Sequence, residues 1–151
     1  MNQLIRSALV LAGAAGLAAA RPSTPAGSET IVVTGGPYAG TYQVRAERLL
    51  CFYAKDGDVY GATFLDEKAS TPRSLYQGGI VVDKPYVAGA KIGALHAKFG
   101  SDPKQSISYD VYSVPVTMTL KGKGADVAGV AKTKEGVTLR ITASCQSTDQ
   151  L

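Results

Sequence analysis

Near its C-terminal end the chain contains nine residues in which apolar and polar side chains alternate without a break. Residues 137–145 read VTLRITASC. The apolar face of this run carries Val137, Leu139, Ile141, Ala143 and Cys145. Because successive side chains of a strand point to opposite faces, a period of two predicts a strand with one buried face. The same period recurs in most segments from residue 30 onwards, so it constrains the fold more than any other feature.

Turn-forming residues separate the alternating segments. Further strands are predicted at residues 41–46, 50–53, 59–65, 80–83, 91–99, 106–112, 116–120 and 125–132. Asp56-Gly57 predicts a hairpin, because the tight turns of hairpins need residues that accept positive φ, and Gly78-Gly79 is interpreted as another separator. Only in residues 86–97 does the spacing of small residues also suit a helical turn. Short strands with Gly and Pro between them predict an all-β fold, a single antiparallel β-sandwich of about seven to nine strands.

The first twenty residues have the pattern of a secretory signal peptide. Arg6 precedes an apolar run of thirteen residues that ends in Ala18-Ala19-Ala20, and small residues at these positions suit cleavage after Ala20. The run is shorter than the roughly 20 residues that span a membrane, so we expect no membrane span in the mature chain and a secreted or periplasmic protein. Residues 21–29 are predicted to be a flexible linker, 30–147 the β-sandwich domain and 148–151 a C-terminal tail.

Cys51 and Cys145 are the only two cysteines. An oxidising compartment favours a disulfide between them, and Cys145 falls on the apolar face of its strand. A bridge between an early strand and the last one suits a sandwich, in which buried disulfides join facing strands. A zinc site would need further ligands near these cysteines, and the sequence does not offer them.

The formal net charge is +4, and the basic residues are dispersed along the sequence. A nucleic-acid-binding protein concentrates Lys and Arg on one surface, so nucleic acid is not expected as a partner. His96 is the only histidine and is interpreted as a surface residue, not as a catalytic base. Asp56-Gly57-Asp58, with Asp66-Glu67 nearby, offers carboxylates for a calcium loop, but a turn explains the motif. No metal or cofactor is predicted.

Residues 34–42 read TGGPYAGTY and contain two glycines at the spacing of a phosphate-binding loop. Such a loop requires Lys after the second glycine and then a helix. Thr41 stands at the position of that Lys, and a strand pattern follows. The segment is therefore predicted to connect the first two strands.

Tyrosine is the most frequent aromatic residue, with eight tyrosines against three phenylalanines. Tyrosines commonly fill the edges and corners of sheets, and exposed tyrosines are also enriched where proteins bind partners. A candidate binding patch is Tyr109, Asp110 and Tyr112.

The C-terminal part, from residue 121 to Cys145, together with the early and late cysteines, resembles small exported bacterial β proteins of the mycobacterial 19 kDa lipoprotein-antigen type. The resemblance implies export, a sandwich fold and a disulfide, and it implies no activity. The chain departs from that family because it lacks the cysteine that carries the lipid.

No catalytic residues are predicted, so the favoured hypothesis is a non-catalytic module that binds an unknown protein or surface ligand. Two alternatives remain open. The protein could carry a small apolar ligand in an internal cavity, or it could be a secreted hydrolase whose site forms only in three dimensions.

Overall fold

The computed structural model describes residues 27–150, apart from the side chains of Pro103, Asp149 and Gln150. The predicted signal peptide, its cleavage site and residues 21–26 of the predicted linker lie outside this range. Ten strands and two short 3₁₀ turns, Ala46–Arg48 and Pro103–Gln105, make up the described chain. The strands are β1 (Gly27–Thr34), β2 (Gly40–Val44), β3 (Leu49–Ala54), β4 (Val59–Leu65), β5 (Leu75–Asp83), β6 (Lys91–Phe99), β7 (Ile107–Lys121), β8 (Gly124–Lys132), β9 (Thr138–Cys145) and β10 (Asp149–Gln150).

All ten strands belong to one sheet, in the order β10-β3-β4-β5-β6-β7-β8-β9-β1-β2. Every neighbouring pair is antiparallel except β10 and β3, which are parallel. The sheet curls so far that β5 and β6 approach β8 and β9 across the interior, and β1 approaches β3. The sheet is therefore nearly closed, and β2 lies at one of its two edges.

The interior is filled by the apolar side of each alternating strand. The fully buried side chains include Ile31, Ile80, Leu95, Leu139 and Ile141. These residues come from β1, β5, β6 and β9, so strands that are distant in sequence share one core. Tyr38, Tyr42 and Tyr109 surround the buried ring of Phe99, with ring centroids 4.6 to 6.0 Å from it.

A disulfide joins Cys51 in β3 to Cys145 in β9, with Cα atoms 6.0 Å apart. Both cysteines are buried. The predicted fold class, an all-β, disulfide-linked domain of antiparallel strands, is confirmed. The strands that face each other across the interior belong to one continuous sheet, since hydrogen bonding runs through all ten strands.

The segment TGGPYAGTY connects β1 to β2, as predicted. The two strands pair directly, with Val33 opposite Gly40. Gly35 and Gly36 have φ values of +83° and +72°, a conformation that glycine adopts without steric cost. The predicted hairpin at Asp56-Gly57 also forms, but its positive φ falls on Asp58, at +48°.

Several boundaries differ from the sequence-based ones. Gly78-Gly79 lies within β5 and not between strands. Residues 107–112 of one predicted strand and residues 116–120 of the next belong to a single strand, β7, which has an irregular register opposite Gly93 and Leu95. The first three residues of β1 fall in the predicted linker, and β10 falls in the predicted tail.

The stretch 86–97 forms no helical turn: a loop leads directly into β6. Within residues 27–150 no helix has the length and apolar character needed to cross a membrane.

Candidate functional site

A cleft opens between β2 and the connection from β4 to β5. Its volume is about 500 Å³, within the range of about 300 to 1,000 Å³ that is typical of ligand sites. Residues 41–45 and Arg48 form one wall, and residues 68–71 and 73–75 form the other, with Phe64 and Asp66 completing the lining. The two walls are therefore about thirty residues apart in the sequence and meet only through the curl of the sheet.

Positive side chains dominate this cleft. Residues 27–150 contain four arginines, and three of them, Arg45, Arg48 and Arg73, line it together with Lys68. Asp66 is the only acidic residue in the lining. We call these five residues the arginine cleft. Four cations against one carboxylate give it an excess of positive charge.

Arg48 and Asp66 form an ion pair across the cleft. The guanidinium Nη1 lies 3.2 Å from the carboxylate Oδ1 of Asp66, and both side chains are partly buried. The same carboxylate accepts a hydrogen bond of 3.1 Å from the backbone N–H of Lys68. The pair holds Arg48 in place and offsets part of its charge, so Arg48 is the least available cation of the cleft.

Arg45 and Arg73 are exposed and form no ion pair with any residue in the described range 27–150. Arg73 lies close to Tyr42: burial raises the pKa of the Tyr42 phenol, and the charge of Arg73 opposes that shift. The hydroxyl of Tyr42 donates to the backbone oxygen of Tyr38 at 2.7 Å, which holds the ring beside the cleft. Two guanidinium groups thus remain free to bind a ligand.

Hydroxyl groups supply further hydrogen-bonding capacity. Thr41, Ser70, Thr71 and Ser74 line the same cleft. The hydroxyls of Thr71 and Ser74 lie 2.8 Å apart, and the backbone N–H of Ser74 donates to the oxygen of Thr71 at 3.0 Å. These bonds order the turn that carries Arg73. Guanidinium groups bind carboxylates and phosphates through paired hydrogen bonds, so the chemistry of the cleft suits an anionic ligand.

The sequence does not predict this site. The basic residues are dispersed along the chain, but these four cations converge in space. One signal was present: three of the four arginines after residue 26 fall just outside the strands, in segments whose remaining residues are mostly polar. The sequence alone does not say that those segments meet.

The predicted patch of Tyr109, Asp110 and Tyr112 is divided by the alternation of β7. Tyr109 is 5 % exposed and packs against Phe99 in the interior, so it is not part of an exposed patch. Asp110 and Tyr112 lie on the outer face and line a groove with residues 132–135. Tyr112 is 73 % exposed.

His96 lies opposite Asp110 in the register of β6 and β7, on the face away from Leu95 and Ala97. It is half-buried, and burial lowers its pKa while Asp110 opposes the shift. Ser108 donates to Asp110 at 2.5 Å. A serine nucleophile needs the histidine between serine and carboxylate, and here the carboxylate bonds the serine directly.

Two of the carboxylates that a calcium loop would use have other partners. Asp58 accepts a hydrogen bond of 3.0 Å from the hydroxyl of Tyr53, and Asp66 pairs with Arg48. Among the residues that the structure describes, no three His, Cys, Asp or Glu side chains are grouped as metal ligands.

Comparisons with protein-family models, curated proteins and solved structures find no match to this chain.

Proposed function

We propose that the protein is an exported, non-catalytic binding module whose ligand or partner is anionic and binds in the arginine cleft. The observation that carries the proposal is the convergence of Arg45, Arg48, Arg73 and Lys68 on one cleft. Arg45 and Arg73 are the main ligand-binding groups, because Arg48 is already paired with Asp66.

These residues can bind an anion without any catalytic side chain. A hydrogen bond to a charged group contributes about 1.5 to 3 kcal/mol, so both guanidinium groups contribute directly to the affinity for an anion. The positive charge also increases the rate at which anionic ligands reach the cleft. We therefore expect binding to weaken as the salt concentration rises.

The proposal is tested with fluorescein-labelled hexaglutamate as the anionic probe and labelled hexalysine as the control, measured by fluorescence anisotropy at low ionic strength. Hexaglutamate should bind and hexalysine should not. Arg45→Gln and Arg73→Gln should each weaken hexaglutamate binding by about tenfold or more, which corresponds to about 1.4 kcal/mol.

Arg140→Gln is the matched control, because Arg140 is the described arginine that lies outside the cleft. It should change the affinity by less than about twofold, as expected for a charge that does not touch the ligand. Absence of hexaglutamate binding, or equal losses in all three variants, would contradict the proposal.

A further inference from the structure

We propose that the ligand of the arginine cleft is an acidic peptide segment in an extended conformation, which adds to the free edge of β2 as a further strand. This inference rests on the proposed function and specifies the form of the ligand.

The cleft runs along the edge of β2. Residues 41–45 all line it, although they are consecutive. Consecutive side chains of a strand point to opposite faces, so a cleft on one face would be lined by every second residue only. A cleft that contacts all five follows the strand's edge.

That edge has no strand paired with it in the described chain. β2 is terminal in the sheet and pairs with β1 alone. In an antiparallel pair, every second residue directs its backbone N–H and C=O away from its neighbour. β2 therefore presents backbone donors and acceptors to the cleft, and peptides bind such edges by main-chain hydrogen bonds.

The two unpaired arginines line the cleft from its two walls. Arg45 extends the exposed side of β2, which also carries Thr41 and Gln43. Arg73 belongs to the opposite wall, in the connection from β4 to β5, and lies near Tyr42. A peptide strand that enters the cleft lies between these walls, so its carboxylates meet a guanidinium group from each wall.

The positive charge of the cleft favours an acidic peptide over two other candidates for the edge of β2, a second copy of the chain and the chain's own residues 1–26. A second copy pairing β2 with β2 would bring two sets of cations together, and like charges across a strand pair are destabilising. The chain's own residues 1–26 include two arginines and no Asp or Glu, so they do not complement the cleft. An acidic segment of another protein does.

The test uses a labelled six-residue peptide of alternating Glu and Thr, blocked at both ends. Two variants of it carry backbone N-methyl groups, one on every Glu and the other on every Thr. Because a bound strand directs only alternate N–H groups to its neighbour, one methylated peptide should lose affinity by about tenfold or more. The other methylated peptide should bind with an affinity within about threefold of that of the unmodified peptide. Arg45→Gln should weaken the binding of this second peptide too, because its carboxylates still contact the cleft.

The outcomes distinguish this inference from the proposed function. If both methylated peptides bind like the unmodified one, or both lose affinity equally, strand addition is wrong while anion binding stands. If neither the alternating peptide nor hexaglutamate binds, the proposed function fails as well. Tighter binding of a single-stranded oligonucleotide than of the peptide would also overturn the inference. So would a dimer of the protein that Arg45→Glu either abolishes or strengthens, because the edge of β2 would then bind a second copy.

Discussion

At the scale of single residues, Glu29 has the most unusual environment in the described chain. It lies on the inward side of β1 with Ile31 and Val33, opposite Ala143 of β9, and is 1 % exposed. Neither carboxylate oxygen has a hydrogen-bond partner in the described part of the chain. Burial raises the pKa of Glu29 to about 8, because an apolar interior disfavours the charged form. The side chain is therefore largely neutral at pH 7.

This burial predicts a pH-dependent stability. The folded protein keeps the proton of Glu29 up to about pH 8, whereas the unfolded chain loses it above an ordinary pKa of 4.5. The native state thus binds more protons between these values, and its free energy of unfolding falls as the pH rises through this window. The loss attributable to Glu29 is about 3 to 5 kcal/mol.

Glu29→Gln removes this titration without changing the side-chain size. Urea unfolding at pH 5, 6, 7 and 8 should show the variant gaining stability relative to the parent protein as the pH rises. Comparing the two proteins at each pH cancels the opposite contribution of His96, whose lowered pKa favours folding above its ordinary pKa. Glu47→Gln, at an exposed position, is the matched control. A constant difference between Glu29→Gln and the parent would show that Glu29 titrates normally.

At the scale of elements, β5 depends on a glycine in its interior, Gly79. Gly79 has φ +148°, and a Cβ built on it would overlap the backbone oxygen of Ala62 in β4. Glycine within a strand commonly marks a close approach of another backbone. β5 can therefore pair with both β4 and β6 only because position 79 has no side chain.

Gly79→Ala should consequently destabilise the protein by more than about 2 kcal/mol, because a backbone contact must open. The measurement is the free energy of unfolding in urea. Gly57→Ala provides the control: Gly57 has no positive φ, and its Cβ would lie 3.6 Å from Val59, an ordinary contact. That change should be neutral or stabilise by up to about 1 kcal/mol. Equal effects of the two substitutions would contradict this account of β5.

At the scale of the whole molecule, the disulfide joins strands near opposite ends of the sheet. It links residues 94 positions apart, so it strongly reduces the conformational entropy of the unfolded chain. In the chain-entropy model a loop of this length contributes about 4 to 5 kcal/mol. We expect Cys51→Ala/Cys145→Ala to lower the free energy of unfolding by about 2 to 5 kcal/mol. Unchanged urea unfolding of the double variant would refute a stabilising role.

Much of the fold follows from local patterns. The alternation in residues 137–145 predicts β9, and two cysteines allow a single intramolecular pair. TGGPYAGTY is predicted to be a turn and not a phosphate-binding loop, because a strand pattern follows Thr41. Glycine is common in turns, so Gly78-Gly79 is interpreted from the sequence as a separator, and the close approach of β4 explains why Gly79 lies within β5 instead. The composition of residues 21–29, rich in Pro, Ser and Gly and poor in apolar residues, predicts a linker that includes Glu29.

The all-β class, most of the strands and the disulfide could be predicted from the sequence, since these depend on alternation over a few residues or on having only two cysteines. That β2 is an edge strand and that Arg73 lines the same cleft as Arg45 become visible only in three dimensions. Strand alternation already places Tyr109 and Tyr112 on opposite faces of β7, and only the packing of the sheet sets which of the two is buried. These relations depend on which distant strands pair and how far the sheet curls, and no short segment of the sequence contains that information.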